Sequence, residues 1–223
     1  FTNPELCDIS EDLVFTEPYT DYKHRNIIMP ENRRFVEQVL YRDRALHACV
    51  AKLRDDFMNH GQSLLHGDLH SGSLFVNEHG MKVIDPEFAF YGPIGYDLGN
   101  IIANLYCAWM YAAFTREKRS AADDFIERIA AAIEDIPQLF TAKALKRCKT
   151  VPLSDPLYNE RYIRRRLAEI LADAYGFAGT EIIRRAVGDT KTAEFDAMEQ
   201  NSQRITMERI IIKTACRLIK WRQ

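Results

Sequence analysis

The chain has little of what marks a secreted, membrane-spanning or nucleic-acid-coating protein. Its five cysteines, Cys7, Cys49, Cys107, Cys148 and Cys216, are odd in number, widely spaced and never in a C-x-x-C pair. That pattern argues against a disulfide framework or a zinc cage and predicts reduced thiols in a cytoplasmic setting. An excess of one charge is missing too: 30 Lys and Arg against 32 Asp and Glu leave a net charge of −2. No nucleic-acid footprint is expected, and an anionic partner must be gripped locally. No apolar run approaches the roughly 20 residues of a membrane span. The longest, Ile101 to Phe114, is interrupted by Asn104 and reads as a buried helix. The opening FTNPELCDISEDLVF has no initiator Met, basic region or apolar stretch of a signal peptide, and reads as the interior of something longer.

What is present is a chain of 223 residues, 47% hydrophobic and 28% charged, enough for one domain with a sizeable core. Residues 1–30 carry Pro4, Pro18 and Pro30 with little periodicity and predict an ordered but irregular lead-in. From Pro30 to Gly61, apolar residues from Phe35 to Phe57 recur at helical spacing and predict one long amphipathic helix. Three short apolar pieces follow, 63–65, 74–76 and 81–84, which read as brief strands separated by HGDLHSGS and NEHG. Beyond Pro93 the pattern predicts helices over about 97–114, 120–134, 138–148, 156–175, 180–187 and 192–221, with Gly176, Gly179 and Gly188 as breaks. The expected class is mainly α with a small β patch, an α+β domain over 1–223.

The β patch carries the unusual chemistry. In LLHGDLHSGSLFV, Asp68 stands between Gly67 and Gly72, where the backbone can turn sharply and approach a ligand. Seventeen residues on, VIDPEFAFYGP ends an apolar piece with Asp85 and Glu87, which in extended backbone would face one side. Two such carboxylates repel unless a cation lies between them, and hard oxygens suit Mg²⁺ carried by substrate phosphates. The protein-kinase loop H-x-D-x-x-x-x-N, followed by a metal-holding Asp, has the same spacing. Here His66, Asp68 and Ser73 occupy the loop and Asp85 the later position. Ser is the weaker ligand at the Asn position, so Glu87 is expected to supply the coordination that Ser73 lacks.

The segments HGDLHSGS, DPEFAFYGPIGYDLGN, NPELCDISEDLVFTEPY and EIIRRAVG together resemble the 5-methylthioribose kinases, a family within the aminoglycoside-phosphotransferase and choline-kinase group of protein-kinase-like folds. The resemblance covers nearly the whole chain. It implies a protein-kinase-like C-terminal lobe, ATP and Mg²⁺ as cofactors, 5-methylthioribose as substrate phosphorylated on its 1-hydroxyl for methionine salvage, and a possible homodimer. It makes Asp68 the catalytic carboxylate, Asp85 and Glu87 the metal pair, and Arg184 and Arg185 the substrate-binding arginines. His66 would brace the loop, and Asp97 of GYDLGN would hold it by its backbone.

A kinase of this kind needs a glycine-rich phosphate loop and a strand lysine. Neither is evident: no Gly-rich loop precedes residue 60, and Lys23 and Lys52 are the only lysines before His66. An N-terminal ATP-clamping lobe is therefore expected to be absent, leaving the chain alone with little or no activity. Plainer readings stand beside these. Asp68 could be a solvated turn residue, H-x-D-x-H part of a zinc site, Asp97 an ordinary helix cap, and Arg184 and Arg185 a charged helix face like RYIRRR at 161–166. Other functions of the same chemistry are kinases for aminoglycosides, choline or homoserine; of a different class, a binding or scaffolding lobe.

Overall fold

A computed structural model describes residues 2–115, 120–150, 155–191, 195 and 197–221. Its lead-in is helical over Pro4–Thr20 and irregular, as expected, over 21–29. Helix α1 (Pro4–Ser10) runs through a wider-wound turn, Glu11–Thr16, into α2 (Glu17–Thr20). Pro4 and Pro18 lie in the first turns of α1 and α2, where a missing N–H costs nothing, so prolines that looked like breakers act as starts. The buried Glu17 carboxylate then accepts from the N–H groups of Lys23 and Arg25, both at 3.0 Å, and orders the loop that follows.

The long helix expected over Pro30 to Gly61 is divided. After α3 (Arg33–Val36) and a wide turn at Glu37–Tyr41, the chain restarts as α4 (Arg44–Asn59). The reason is local: Asp43 caps α4, its carboxylate accepting from Leu46 N at 2.9 Å. Strand β1 (Ser63–Leu65) pairs antiparallel with β4 (Phe90–Gly92), and β2 (Leu74–Asn77) with β3 (Gly80–Val83). Strand β4 was not anticipated, and β3 stops before Ile84.

Four long helices complete the described fold: α5 (Gly95–Thr115), α6 (Ser120–Thr150), α7 (Glu160–Val187) and α8 (Ser202–Trp221). Two expected pairs are single helices. Pro137 sits inside α6, at the cost of one backbone hydrogen bond, without ending it. Gly176 and Gly179 lie inside α7. Each costs about 1 kcal/mol relative to Ala in a helix, but a Cβ on Gly179 would stand 2.7 Å from Ala215 O of α8. Likewise a Cβ on Gly99 of α5 would meet Ala178 N of α7 at 2.7 Å. These glycines are where helix backbones touch. Gly188 does end α7, its N–H bonding to Arg184 O at 2.8 Å. The start of the last expected helix, at 192–194 and 196, lies outside the described residues.

Helices α5, α7 and α8 pack mutually, with α4 and the lead-in against them. An aromatic knot ties the β patch to this core: Phe57 of α4 lies 4.7 Å from Tyr96 of α5 and 4.9 Å from Phe90 of β4, and Tyr96 lies 5.4 Å from Phe177 of α7. Burying each such ring contributes about 1.5–3 kcal/mol, so β4 and the loops around it are fixed to the helices. Among the described residues no helix is long and apolar enough to cross a membrane.

Candidate active site

The HGD loop is held from below by one side chain. Asp97, in the first turn of α5, accepts from His66 N at 2.7 Å and from Gly67 N at 3.0 Å. Burial pushes its carboxyl up from the ordinary value, against the pull of those two N–H groups. Gly67 has φ +87, and a Cβ there would lie 2.1 Å from the carbonyl oxygen of Phe88. Only glycine lets the HGD loop sit this close to the DPEF turn. His66 adds a second tie, its Nε2 lying 2.8 Å from Ile84 O. The carbonyl can only accept, so Nε2 carries the hydrogen and Nδ1 accepts from Asp68 N at 3.4 Å.

Asp68 emerges from this bracing with its side chain 27% exposed. Around it are Arg185 Nη2 at 3.7 Å, Arg184 Nη1 at 3.9 Å and His70 Nε2 at 3.7 Å. Adjacent helix positions point about 100° apart, yet both arginines reach the same Asp68 oxygen. His70 accepts from Gly72 N through Nδ1 at 3.1 Å, which turns its other nitrogen toward Asp68. Ser73 is buried; its hydroxyl donates to Asp68 O at 3.4 Å, and its carbonyl accepts from Ile84 N at 3.0 Å.

Asp85 and Glu87 are arranged differently from the strand alternation that singled them out. Asp85 is left-handed at φ +64, and Ala89 N closes a turn on Pro86 O at 3.0 Å, so the pair sits on a kinked loop beyond the end of β3. Asp tolerates this conformation better than most residues, and backbone strain of about 1–3 kcal/mol concentrates at functional sites. Both carboxylates are exposed and have no ion-pair partner among the described residues. Asn3 fastens the turn through Glu87 O at 2.9 Å and Ala89 O at 3.2 Å. Among the described residues no three His, Cys, Asp or Glu side chains gather closely enough to cage a metal. Two free oxygen-donor groups without a cage fit Mg²⁺, which is usually held by one or two carboxylates plus phosphates and water.

One residue of the site escaped the sequence reading. Glu181 is buried under the arginine pair, with Oε1 at 2.6 Å from Arg185 Nε and Oε2 at 3.1 Å from Arg184 Nη1. The signal was there, since Glu at i with Arg at i+3 and i+4 shares one helix face. Burial pushes the Glu181 carboxyl up, but the two guanidinium groups outweigh it and hold it below the usual range. Three of the four arginines of RYIRRR, Arg164, Arg165 and Arg166, instead pair with Glu160 and Glu169 on an exposed face. A roomier cleft of about 470 Å³, lined by Asp21, His24, Asn26, Arg33 and Tyr41, includes none of these groups.

A family model described as "Phosphotransferase enzyme family" (APH) matches residues 4–133, more than half of the chain. Among curated relatives, a methylthioribose kinase from Geobacillus thermodenitrificans is 39% identical over 223 residues, covering 98% of this chain and 52% of its own length. Methylthioribose kinases from Geobacillus kaustophilus, 40% identical, and Pectobacterium atrosepticum, 36% identical, match 98% of this chain and 52% and 54% of themselves. The chain spans about half the length of the curated relatives it matches.

Proposed function

We propose, starting from the fact that this chain belongs to the phosphotransferase enzyme family, that it is the catalytic lobe of a kinase transferring the γ-phosphoryl of ATP to the 1-hydroxyl of 5-methylthioribose. One observation carries the reading: Asp68, on a loop braced by Asp97, Gly67 and His66, has two arginines within 3.9 Å, and the backbone of its loop is packed against the segment that carries Asp85 and Glu87. A proton acceptor flanked by cationic groups, with exposed carboxylates on the neighbouring turn, supports phosphoryl transfer.

In this mechanism an Asp68 oxygen orients the acceptor hydroxyl and takes its proton as the new O–P bond forms and the bond from the γ-phosphorus to the ADP oxygen breaks. Arg184 and Arg185 are permanently charged and donate to the phosphoryl oxygens, where negative charge accumulates. Asp85 and Glu87 would hold Mg²⁺, which supplies charge neutralisation on the phosphates. Ser73 is the third oxygen of the proposed set; with its hydrogen given to Asp68 O, lone pairs are what it has left to offer. His66 and Asp97 act through the backbone.

The same observations favour a half-site. The slot walled by Ile9, Leu13, Gly67, Asp68, Phe88 and Arg184 encloses about 30 Å³, against the 300–1,000 Å³ of ordinary small-molecule sites. The β2–β3 hairpin exposes Val76 (73%), Met81 and Val83 on one face and Phe75 (63%), opposite Lys82, on the other, apolar surface that soluble proteins normally cover. Both features suit a lobe that meets ATP only when an N-terminal lobe closes over it.

The test is the full-length polypeptide with MgATP and a panel of alcohols. Phosphorylation of 5-methylthioribose, and not of aminoglycosides, choline or homoserine, is the expected outcome, with Asp68→Asn lowering turnover about 10²–10⁴-fold. Phosphorylation of an aminoglycoside but not of methylthioribose refutes the substrate. An unchanged rate in Asp68→Asn removes Asp68 from the mechanism, whereas a full-length polypeptide that phosphorylates none of these alcohols leaves a binding or scaffold lobe. ATP-dependent turnover by the 223 residues alone refutes the half-site.

A further inference from the structure

Glu181 has no task in the mechanism above, yet its position is costly. A buried carboxylate needs full compensation, and here Arg184 and Arg185 provide it at 3.1 and 2.6 Å. The same two guanidinium groups stand 3.9 and 3.7 Å from Asp68 Oδ1, too far for a hydrogen bond. Two cations are thus divided between two carboxylates, with Glu181 in contact and Asp68 out of contact. Two cations and two carboxylates cancel, so nothing in the local charge balance demands a closer approach to Asp68.

We propose that Glu181 is a positioning residue that holds Arg184 and Arg185 back from Asp68, keeping the Asp68 oxygens free for the acceptor hydroxyl and the Nη2 groups of both arginines free for the phosphoryl, Arg185 Nη1 being given to Thr190 O at 3.4 Å. The inference rests on the kinase reading and deepens it. If the Glu181 charge were absent, Asp68 would be the nearest counter-charge for both arginines. Charge-assisted Arg–carboxylate contacts close to about 2.7–2.9 Å and fork onto both oxygens. Asp68 would then spend its lone pairs on arginine, and the arginines their donors on Asp68.

Glu181→Gln keeps the shape and removes the charge; Glu181→Asp keeps the charge and shortens the reach. In the full-length polypeptide, with acceptor and MgATP varied separately, Glu181→Gln is expected to lower kcat/KM for the acceptor about 10–100-fold, the usual size for a residue that orients a functional side chain. The KM for MgATP should stay within about twofold, and Glu181→Asp should recover part of the loss. Phenylglyoxal modification mapped by mass spectrometry should change in rate at Arg184 and Arg185 of Glu181→Gln and at no other arginine. A folded Glu181→Gln with wild-type acceptor kinetics overturns the proposal. So does a parallel loss of acceptor and nucleotide parameters that follows the folded fraction, since that is what a mere structural brace gives. If Glu181→Gln does not fold, Glu181→Asp is judged by the same two criteria. Should the wild type phosphorylate a different alcohol, the comparison is made with that alcohol, so the substrate assignment can fail while this proposal stands. The labelling needs no substrate and decides the point if no acceptor is found: unchanged rates at both arginines overturn it.

Discussion

Gly67→Ala tests the physical claim that the HGD loop and the DPEF turn are packed backbone to backbone. The new Cβ would lie 2.1 Å from Phe88 O, 2.7 Å from Phe88 C and 2.9 Å from Phe88 Cβ, and backbone cannot rotate aside as a side chain can. At φ +87 an alanine is also strained, by about 1–2 kcal/mol, and overpacking adds about 1–3 kcal/mol. The sum, about 2–5 kcal/mol, is either lost from stability or relieved by moving the two loops apart. A shift of about 1 Å at the reacting groups can cost 10²-fold in rate. Gly80→Ala separates the two contributions, because Gly80 has φ +150 but nothing within 4 Å of its would-be Cβ. It should show the strain alone. Urea unfolding with an unchanged m-value, alongside turnover in the full-length polypeptide, measures both effects. If Gly67→Ala is no less stable than Gly80→Ala and turns over like wild type, the close approach is not what holds these loops.

Asp97→Asn should separate stability from activity. Asn keeps one acceptor for the two N–H donors, a loss of about 1.5–3 kcal/mol, but it also escapes the burial that pushes the Asp97 carboxyl up. Unfolding free energy should therefore fall by less than about 1.5 kcal/mol while turnover drops about 10–100-fold; denaturation and kinetics on one preparation compare them, and intact turnover refutes the bracing role. Glu181 gives a pH signature. Its carboxyl is lowered in the fold, so its contribution is fully present above the unfolded value of about 4.3 and is lost as pH falls through the lower folded value. Scanning calorimetry should find the melting-temperature gap between wild type and Glu181→Gln widest near neutrality and shrinking below about pH 4; a gap that widens in acid refutes the assignment.

Local chemistry was readable before any coordinates. Gly67 and Asp68 stand out because a sharp turn depends on residues only a few positions apart; Asp85 and Glu87 stand out as paired acids, but as strand neighbours, whereas the left-handed Asp85 puts them on a kinked turn beyond β3. The brief strands followed from short apolar runs between turn residues, and the helical remainder from 3.6-residue periodicity. Capping was legible in principle at Asp43, but the apolar rhythm continued past it and hid the break. Proline and glycine misled for one shared reason, since their meaning depends on what they touch. Pro4 and Pro18 start helices, and Gly176 and Gly179 sit inside one.

The sequence by itself determined which residues are candidates for the proposed chemistry and that most of the chain is helical, because both depend on side-chain type and spacing along one segment. Only the tertiary structure decided that Arg184 and Arg185 both reach Asp68, that Glu181 lies in contact with them, and that Gly99 and Gly179 mark helix crossings. Periodicity states which face of a helix is apolar, not which element covers it. Distances between residues far apart in the chain are set by the packing of α5, α7 and α8 around the aromatic knot, and by nothing within either segment alone.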